Sequence, residues 1–427
     1  MKIRFAKVAG WLRGSMSASA WQRLLTLRVA LRRMRDSLPR LSSGHLPLLS
    51  IVVAAYNTQP YIEETLTSLA RQRYRRIEVI VVNDASTDLT GEIAGRFAAK
   101  DRRFRLVSAP HGGPGAARNL GAALAGGQYL AFFDSDDIAD PLFYFEAIRG
   151  LEHSDSDFAV GSYEVLSDGL RRSAPKYVRR VHKENRRGIK LADLPEITVN
   201  ALCCSKVYRR DFYERCVGPQ PEGVFYEDQM TSMRGYVRSG SFDVISRPVL
   251  QWRRRPTLDA TSQRTVDADN LQHRVNAYRD VSGFLDACDL PLVREQRLLQ
   301  LLYTDQLTLG HLVEASPQYF DIAAAFLRWA IPLVDAEMYN ENVSFGNRVL
   351  HWLVMHSDLP TTSSFILSGG RRLASWVFER RDEGSSGLVV GVLPTFDCDR
   401  AGIPLAVRCP TERELAKVAT VAPPIDG

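Results

Sequence analysis

Two aspartates stand two residues apart at the end of an apolar segment. Asp134 and Asp136 follow the run Tyr129–Phe133, and side chains two residues apart in an extended chain point to the same side. Carboxylate oxygens are hard donors, which suit Mg²⁺ or Mn²⁺ held jointly with a phosphate rather than a closed zinc site. The alternative is a solvated acidic turn in which Asp137 caps a helix before Pro141.

Other residues with functional side chains also follow apolar runs. Tyr56 has a ring that could stack on a nucleobase, and Asp84 has a carboxylate that could accept a hydrogen bond from a base or a ribose hydroxyl. A glycine-rich turn at 111–115 precedes a helix with Arg118, and such a turn can present amides and a cation to a phosphate. Taken alone, each of these features is more simply explained as part of a turn.

The apolar runs have the pattern of buried strands. Four of them recur about every 25 residues, with a helical pattern after each. These runs are Leu49–Ala54, Ile77–Val82, Phe104–Val107 and Tyr129–Phe133. The alternation predicts an α/β fold with a doubly wound, mostly parallel sheet. Ligands of such sheets bind beyond the carboxyl ends of the strands, where Tyr56, Asp84 and residues 134–137 stand.

The segments around these strand ends follow one another in a specific order, SIVVAAYN, then VIVVNDASTDLT, then GGPGAARNLGAALAGGQYLAFFDSDD. In that order they closely resemble the nucleotide-sugar-binding half of family 2 glycosyltransferases, which have the GT-A fold. The resemblance implies that Ala54 and Tyr56 line the nucleobase pocket. It also implies that Asp84 contacts the base and that Arg118 lies beside the nucleotide. Ala54-Ala55 departs from the Pro-Val that members often have, which leaves the preferred nucleotide open.

Three later segments, SKVYRRDF, PEGVFYEDQ and QWRRR, resemble the acceptor half of bacterial family 2 enzymes found with teichoic-acid-type and capsular polymer biosynthesis. In those enzymes an aspartate of an ED pair is the base, and a Trp/Arg segment closes over the donor. The resemblance implies Asp228 as the base, with Glu227 beside it. It also implies that Trp252 and Arg253 bind substrate. Without the family, Glu227-Asp228 is an acidic pair that begins a helix, and Trp252 is equally a core residue.

The reaction that this resemblance implies is an inverting transfer, a single in-line displacement that needs no nucleophile from the protein. Asp228 would take the proton of the acceptor hydroxyl. Asp134 and Asp136 would hold the ribose and a Mn²⁺ or Mg²⁺ ion, which neutralises the departing diphosphate. Arg118 and one arginine of 253–255 would add fixed positive charge. The expected partners are a nucleotide-sugar donor and a glycopolymer or lipid-linked acceptor of the cell envelope. Two alternatives stay open, another nucleotide-sugar enzyme and a non-catalytic glycan- or membrane-binding relative.

Positive charge is concentrated in two segments. Residues 1–40 contain ten Lys or Arg against one Asp, and residues 171–190 contain nine against one Glu, whereas the formal net charge is +6. The rest of the chain is therefore acidic overall, and we expect no nucleic acid as a partner. In the first segment Leu24, Leu27 and Leu31 share a helical face, which predicts either an amphipathic helix on anionic lipid or a helix packed on the protein. The second segment could recruit an anionic acceptor or be a solvated loop.

The chain is long enough for several domains, with 427 residues of which 45% are hydrophobic and 24% charged. The predicted parts are a basic amphipathic leader and linker (1–46), a GT-A domain (47–265) with a nucleotide-sugar half (47–150) and an acceptor half (151–265), a C-terminal helical region (266–380) and a strand-and-loop tail (381–427). No run is apolar enough to span a membrane. The six cysteines form no CxxC pair, which favours a reducing compartment. We therefore expect a cytoplasmic protein, peripheral on the inner face of the plasma membrane.

Overall fold

The computed structural model describes residues 46–256, 264, 266–304, 306–383 and 386–418, without the side chains of 380–388. From residue 48 onward the described residues form one compact unit. The predicted amphipathic leader lies outside the described residues, apart from residue 46 at its end. No helix of the described part is long and apolar enough to cross a membrane.

Within the described residues, ten strands form one mixed sheet in the order β3-β2-β1-β4-β9-β6-β10-β5, with β7 paired to β6 and β8 to β10. The strands are β1 (Leu49–Ala55), β2 (Ile77–Asp84), β3 (Phe104–Ala109), β4 (Tyr129–Asp134), β5 (Ile138–Ala139), β6 (Phe158–Ser167), β7 (Leu170–Ser173), β8 (Arg186–Ile189), β9 (Lys206–Arg209) and β10 (Phe242–Arg253). The helices between them are α1 (Ile62–Ala70), α2 (Thr90–Lys100), α3 (Gly113–Ala123), α4 (Phe143–Ser154), α5 (Lys176–Val181) and α6 (Glu227–Arg238).

The parallel half of the sheet brings the predicted donor residues to one edge. β1 lies between β2 and β4 and is parallel to both, and this position explains its continuous apolar sequence. In this register Ala54 stands opposite Val82 on one side and Asp134 on the other. Tyr56, Asp84 and Asp134 therefore meet at the carboxyl edge, and the predicted doubly wound α/β fold is confirmed.

The acceptor half continues the same sheet. β9 is antiparallel both to β4 and to β6, and β10 is parallel to β6, so β6 and β10 run in the same direction as β4. The short strand β5, which follows the acidic cluster, pairs with the end of β10 through Ile138 and Gln251. This pairing places the Trp252–Arg255 segment directly beside residues 134–137. Two segments about 115 residues apart in sequence therefore form one wall of the site.

The predicted helical region is present, and it has a core of its own that includes Leu271, Phe326 and Leu350. Its helices are α7 (Ala268–Ala287), α8 (Pro291–Tyr303), α9 (Pro317–Ala330), α10 (Ala336–Asn342), α11 (Phe345–His356) and α12 (Leu359–Leu367). Asp267 caps α7 by accepting a hydrogen bond from the amide of Asn270 at 2.9 Å. The chain then forms a two-stranded hairpin of β11 (Val377–Glu383) and β12 (Ser386–Val392), and a final helix α13 (Glu412–Val418).

Candidate active site

A cavity of about 790 Å³ lies over the carboxyl edge of the sheet and extends toward the helical region. Most of the residues predicted to act on substrate or metal line it. These are Ala54, Tyr56, Arg118, Asp134, Asp136, Glu227, Asp228, Trp252 and Arg253. The fold therefore brings together, in one cavity, residues from both predicted halves of the domain.

One end of the cavity has an exposed aromatic ring. Tyr56 is 44% exposed, and its ring lies 4.4 Å from that of His111, centroid to centroid. Asn57 follows with a left-handed backbone (φ 48°), and its side-chain oxygen accepts a hydrogen bond from the Thr87 amide at 2.9 Å. This turn ends β1 sharply and leaves one face of the Tyr56 ring available for stacking.

Asp84 is the predicted site residue that the cavity lining does not include. Its carboxylate is buried and accepts hydrogen bonds from the amides of Gly112 at 2.8 Å and Gly113 at 3.0 Å. Its Oδ2 also lies 3.0 Å from Nδ1 of His111. Asp84 thus fixes the glycine-rich turn, and Gly113 has the positive φ of 82° that glycine tolerates best. These two amides are engaged by Asp84 rather than free for a phosphate, and a contact between Asp84 and a base stays a prediction.

Arg118, on α3, joins the two halves of the site. One Nη donates to Asp134 Oδ1 at 2.7 Å, and the other pairs with Glu227 and lies 3.2 Å from Gln220 Oε1. Burial works against the charged guanidinium, but its negatively charged neighbours, Asp134 and Glu227 among them, outweigh burial and raise the pKa of Arg118. The arginine is only 5% exposed, so it is a fixed cation between the two carboxylates.

The acidic cluster holds more negative charge than its neighbours neutralise. Burial raises the pKa of Asp136, and the charge of Asp134 raises it further although Arg255 Nε donates to Asp136 Oδ2 at 2.8 Å. Burial and the charges of Asp136 and Asp134 raise the pKa of Asp137. Asp137 Oδ1 accepts from the Arg253 amide at 2.8 Å, while its Oδ2 is buried without a partner. Asp137 therefore orients the chain at Arg253.

The cluster fits a divalent cation in its donor chemistry and its charge. Asp134 and Asp136 both line the cavity, and each keeps one carboxylate oxygen that receives no hydrogen bond within the described residues. A cation would also relieve the repulsion that raises the pKa of Asp136. In the described part of the chain, the set of three metal-ligating side chains that converges is instead Asp134, Cys203 and Cys204. A hard cation would therefore take the rest of its ligands from a bound diphosphate and water.

Arg253 makes its hydrogen bonds to the protein itself. Its Nε donates to the Asp136 carbonyl and its Nη2 to Glu64, each at 2.6 Å, and its guanidinium lies 5.1 Å from the centre of the Tyr61 ring. Arg253 therefore secures the acidic cluster and α1 to the end of β10. Its predicted contact with substrate stays a prediction, as does the one for Trp252, whose ring meets Tyr163 edge-on at 6.3 Å.

Glu227 and Asp228 begin α6 but have different surroundings. The left-handed conformation of Tyr226 (φ 65°) turns the chain into the helix, and Glu227 is buried against Arg118. Asp228 is half-buried in the cavity wall, and in the described part of the chain no group donates a hydrogen bond to its carboxylate. Burial, with the charge of Glu227, raises the pKa of Asp228 to about 7. A carboxylate that receives no hydrogen bond from the described residues and has this pKa is suited to accept a proton near neutral pH.

Lys206 lies behind this acidic pair. It is fully buried, and its Nζ donates to the carbonyls of Asn200 and Leu202, each at 2.9 Å. Burial lowers the pKa of Lys206 to about 7. Both carbonyls belong to residues that line the cavity, so the lysine shapes the wall from within.

The helical region also reaches the site. Four residues of its first two helices, together with Gln306, line the cavity. The four are Tyr278, Arg297, Gln300 and Leu301. No motif marks them, because isolated polar residues in a helical pattern are typical of a solvent-exposed face.

Residues 50–217 match the family model described as Glycosyl transferase family 2. EpsJ of Bacillus subtilis, an uncharacterized glycosyltransferase, is 30% identical over 250 residues, which are 57% of this chain and 73% of EpsJ. The chain belongs to glycosyltransferase family 2. EpsH of the same organism, also described as a glycosyltransferase, is 31% identical over 210 residues, or 48% of this chain. The match covers 61% of EpsH, about three fifths of that relative.

The fold of this family 2 chain is also found in a solved structure. Residues 1–349 of TarS from S. aureus, crystallised with UDP-GlcNAc, match with a TM-score of 0.59 and 21% identity. The match covers 81% of this chain and 96% of the TarS fragment. It therefore extends beyond residues 50–217 and confirms the predicted GT-A fold. The family and the enzyme class predicted from the sequence are confirmed as well.

Proposed function

We propose that this chain is an inverting, metal-dependent glycosyltransferase that moves a sugar from a nucleotide-sugar donor to a hydroxyl of a cell-envelope glycopolymer or lipid-linked acceptor. The observation that carries the proposal is the Asp228 carboxylate, which receives no hydrogen bond from the described residues, has its pKa raised to about 7 and lies in the same cavity as Asp134 and Asp136. One cavity thus offers a base for the acceptor and ligands for the donor.

The mechanism follows from the charges around the cavity. Asp228 Oδ accepts the proton of the acceptor hydroxyl while the hydroxyl oxygen attacks the anomeric carbon of the donor sugar. The bond between that carbon and the diphosphate breaks in the same step. Arg118 is charged and fixed between Asp134 and Glu227, so its charge is available to the departing diphosphate without reorganisation. Asp134 and Asp136 would hold a Mn²⁺ or Mg²⁺ ion, which when bound supplies further positive charge to the same group.

The donor that we propose to test first is UDP-GlcNAc, because the TarS fragment with this fold was crystallised with it. Tyr56 and Ala54 line the end of the cavity where a base would stack. For the acceptor, Tyr177 of α5 lines the cavity, and α5 lies within the basic segment 171–190. Part of the basic segment therefore lies at the cavity, and we propose that the segment recruits an acceptor with negative charge. We further propose that the enzyme acts on the cytoplasmic side of the membrane, with residues 1–40 on the lipid surface.

The proposal is tested by measuring binding and slow hydrolysis of a panel of nucleotide sugars, beginning with UDP-GlcNAc, with and without Mn²⁺ or Mg²⁺. We expect one donor to be hydrolysed only with metal, Asp136→Ala to lose metal-dependent binding, and Asp228→Asn to bind the donor but turn it over at least about a hundredfold more slowly. The exposed Asp211→Ala, which loses a surface pair with Arg215, is the matched control and should equal the wild type. If no donor binds and all variants behave alike, the chain is a non-catalytic relative.

A further inference from the structure

The residues that flank the acidic pair at the start of α6 are both held by arginines of the helical region. On one side, Arg274 Nε lies 3.2 Å from the hydroxyl of Tyr226, which also donates to Asn270 Oδ1 at 2.7 Å. On the other side, Arg297 Nη2 pairs with Gln229 Oε1. Tyr226 immediately precedes Glu227-Asp228, and Gln229 immediately follows it. We call the Arg274–Tyr226 and Arg297–Gln229 contacts the base clamp.

Arg297 also connects the base clamp to the 195–199 turn, whose last residue lines the cavity. Its Nη1 donates to the Thr198 carbonyl at 2.7 Å and lies 3.2 Å from Gln300 Oε1. The side chain is only 6% exposed, and a planar guanidinium with several partners fixes their relative positions more tightly than a single hydrogen bond would. Arg297 therefore joins α6, α8 and the 195–199 turn at the point where Asp228 enters the cavity.

The remainder of α6 is packed against the same two helices. Met233 of α6 forms a buried apolar cluster with Val281 and Leu285 of α7 and Val293 of α8. This cluster fixes the axis of α6 by non-directional packing, whereas the base clamp fixes the rotation and the first turn of the helix through hydrogen bonds. No group among the described residues donates a hydrogen bond to the Asp228 carboxylate, so its position depends on the backbone that these contacts hold.

From these contacts we propose that Arg297, with Arg274, is a positioning residue for the base Asp228, and that the helical region is therefore part of the catalytic centre rather than an appended domain. The inference rests on the proposed function of Asp228. A displacement of about 1 Å of a catalytic group can cost on the order of a hundredfold in rate, so a clamp on both sides of a base has a direct effect on turnover. Both arginines lie beyond residues 50–217, which match the family model.

The test compares the full-length wild type with Arg297→Met, which keeps the length and apolar character of the side chain but removes its donors. Arg348→Met is the matched control, because Arg348 is also 6% exposed, also lies in the helical region and also donates to carbonyls, those of Asn340 and Val343. Turnover is measured on whichever nucleotide sugar the wild type hydrolyses, and binding is measured with UDP. Each variant is also combined with Asp228→Asn.

We expect Arg297→Met to lower turnover at least about tenfold, to leave UDP affinity within about twofold, and to cause no further loss in the Asp228→Asn background. Hydrogen exchange should rise at the amides of 226–230 in Arg297→Met and not in Arg348→Met. The inference is overturned if the wild type is active and Asp228→Asn is not, while Arg297→Met equals the wild type or loses no more than Arg348→Met. Losses that multiply in the double variant would overturn it too. If instead the wild type hydrolyses no donor, the proposed function fails, and the clamp has no base to position.

Discussion

The ionisation of Asp228 gives the sharpest test of the proposed mechanism. A general base works only when it is deprotonated, and burial with the Glu227 charge raises the pKa of Asp228 from 3.8 to about 7. The fraction ionised is then about nine tenths at pH 8, about one tenth at pH 6 and about one hundredth at pH 5. Activity should therefore fall about tenfold from pH 8 to pH 6 and about ninetyfold from pH 8 to pH 5. With an unshifted carboxylate it would be flat over this range.

The quantity to measure is kcat/KM for the donor, because its pH dependence reports groups of the free enzyme, which is the state that the structure describes. The variant Glu227→Gln tests whether Asp228 is the group that titrates. Removing the Glu227 charge takes away the second largest cause of the raised pKa of Asp228. The charge of Arg118, which lowers this pKa, remains. The midpoint of the acid limb should therefore move to lower pH in this variant. A midpoint near 4 in the wild type, or one that Glu227→Gln does not move, would show that Asp228 is not the titrating base.

The raised pKa of Asp228 also makes the free energy of unfolding depend on pH. The direction of this dependence follows from the protons bound in the native and unfolded states. Between pH 4 and pH 7 the native state keeps a proton on Asp228 that the unfolded state has lost, so this group lowers the free energy of unfolding as pH rises. Asp228→Asn removes the titration. Its melting temperature, relative to the wild type, should rise from pH 5 to pH 8 while its activity is lost. A constant difference across this range would contradict the shifted pKa independently of any donor.

Three further changes test other parts of the site. Tyr56→Ala should weaken UDP binding by about tenfold in calorimetry, since stacking on a base contributes about 1–3 kcal/mol. Gly115→Ala should lower the free energy of unfolding by about 1–3 kcal/mol, because the new Cβ would lie 2.1 Å from the Pro221 carbonyl oxygen, whereas Gly283→Ala, which meets no atom within 4 Å, should not destabilise. Lys206→Met should change the pH dependence of stability. The wild type, whose buried lysine has a pKa lowered to about 7, should gain stability relative to this variant from pH 7 to pH 9 in chemical denaturation.

The parallel half of the fold was predictable because its strands are buried on both faces. The run predicted as Ile77–Val82 is the strand Ile77–Asp84, and the run predicted as Tyr129–Phe133 is Tyr129–Asp134. Each observed strand continues into the polar residues that follow the apolar run, because backbone hydrogen bonds extend the ladder regardless of side-chain polarity. Apolar patterning thus located the carboxyl edge to within two residues, and the motif residues stand at that edge.

The partners of the site residues could not be predicted in the same way. Arg118 pairs with Glu227, 109 residues away, and Asp136 pairs with Arg255, 119 residues away. Both pairs exist because β4 and β9 are adjacent and antiparallel and because β5 joins the end of β10. Nothing in the local sequence of either partner specifies these contacts. The family resemblance identified the charged residues. The order of the strands determines which carboxylate pairs with each arginine and which carboxylate has no arginine partner among the described residues.

A sequence motif can identify a general base without determining the pKa of that base. The pKa of Asp228 is raised by burial and by the charge of Glu227, and helices that follow the family-matched segment line the cavity in which it lies. Arg297 illustrates why these helices gave no signal, since an arginine in a helix indicates a solvated face unless another segment supplies acceptors for it. The 195–199 turn and Gln229 supply them here. If this argument is right, exchanging the helical region between family members should change the pH dependence of the reaction while every motif residue stays the same.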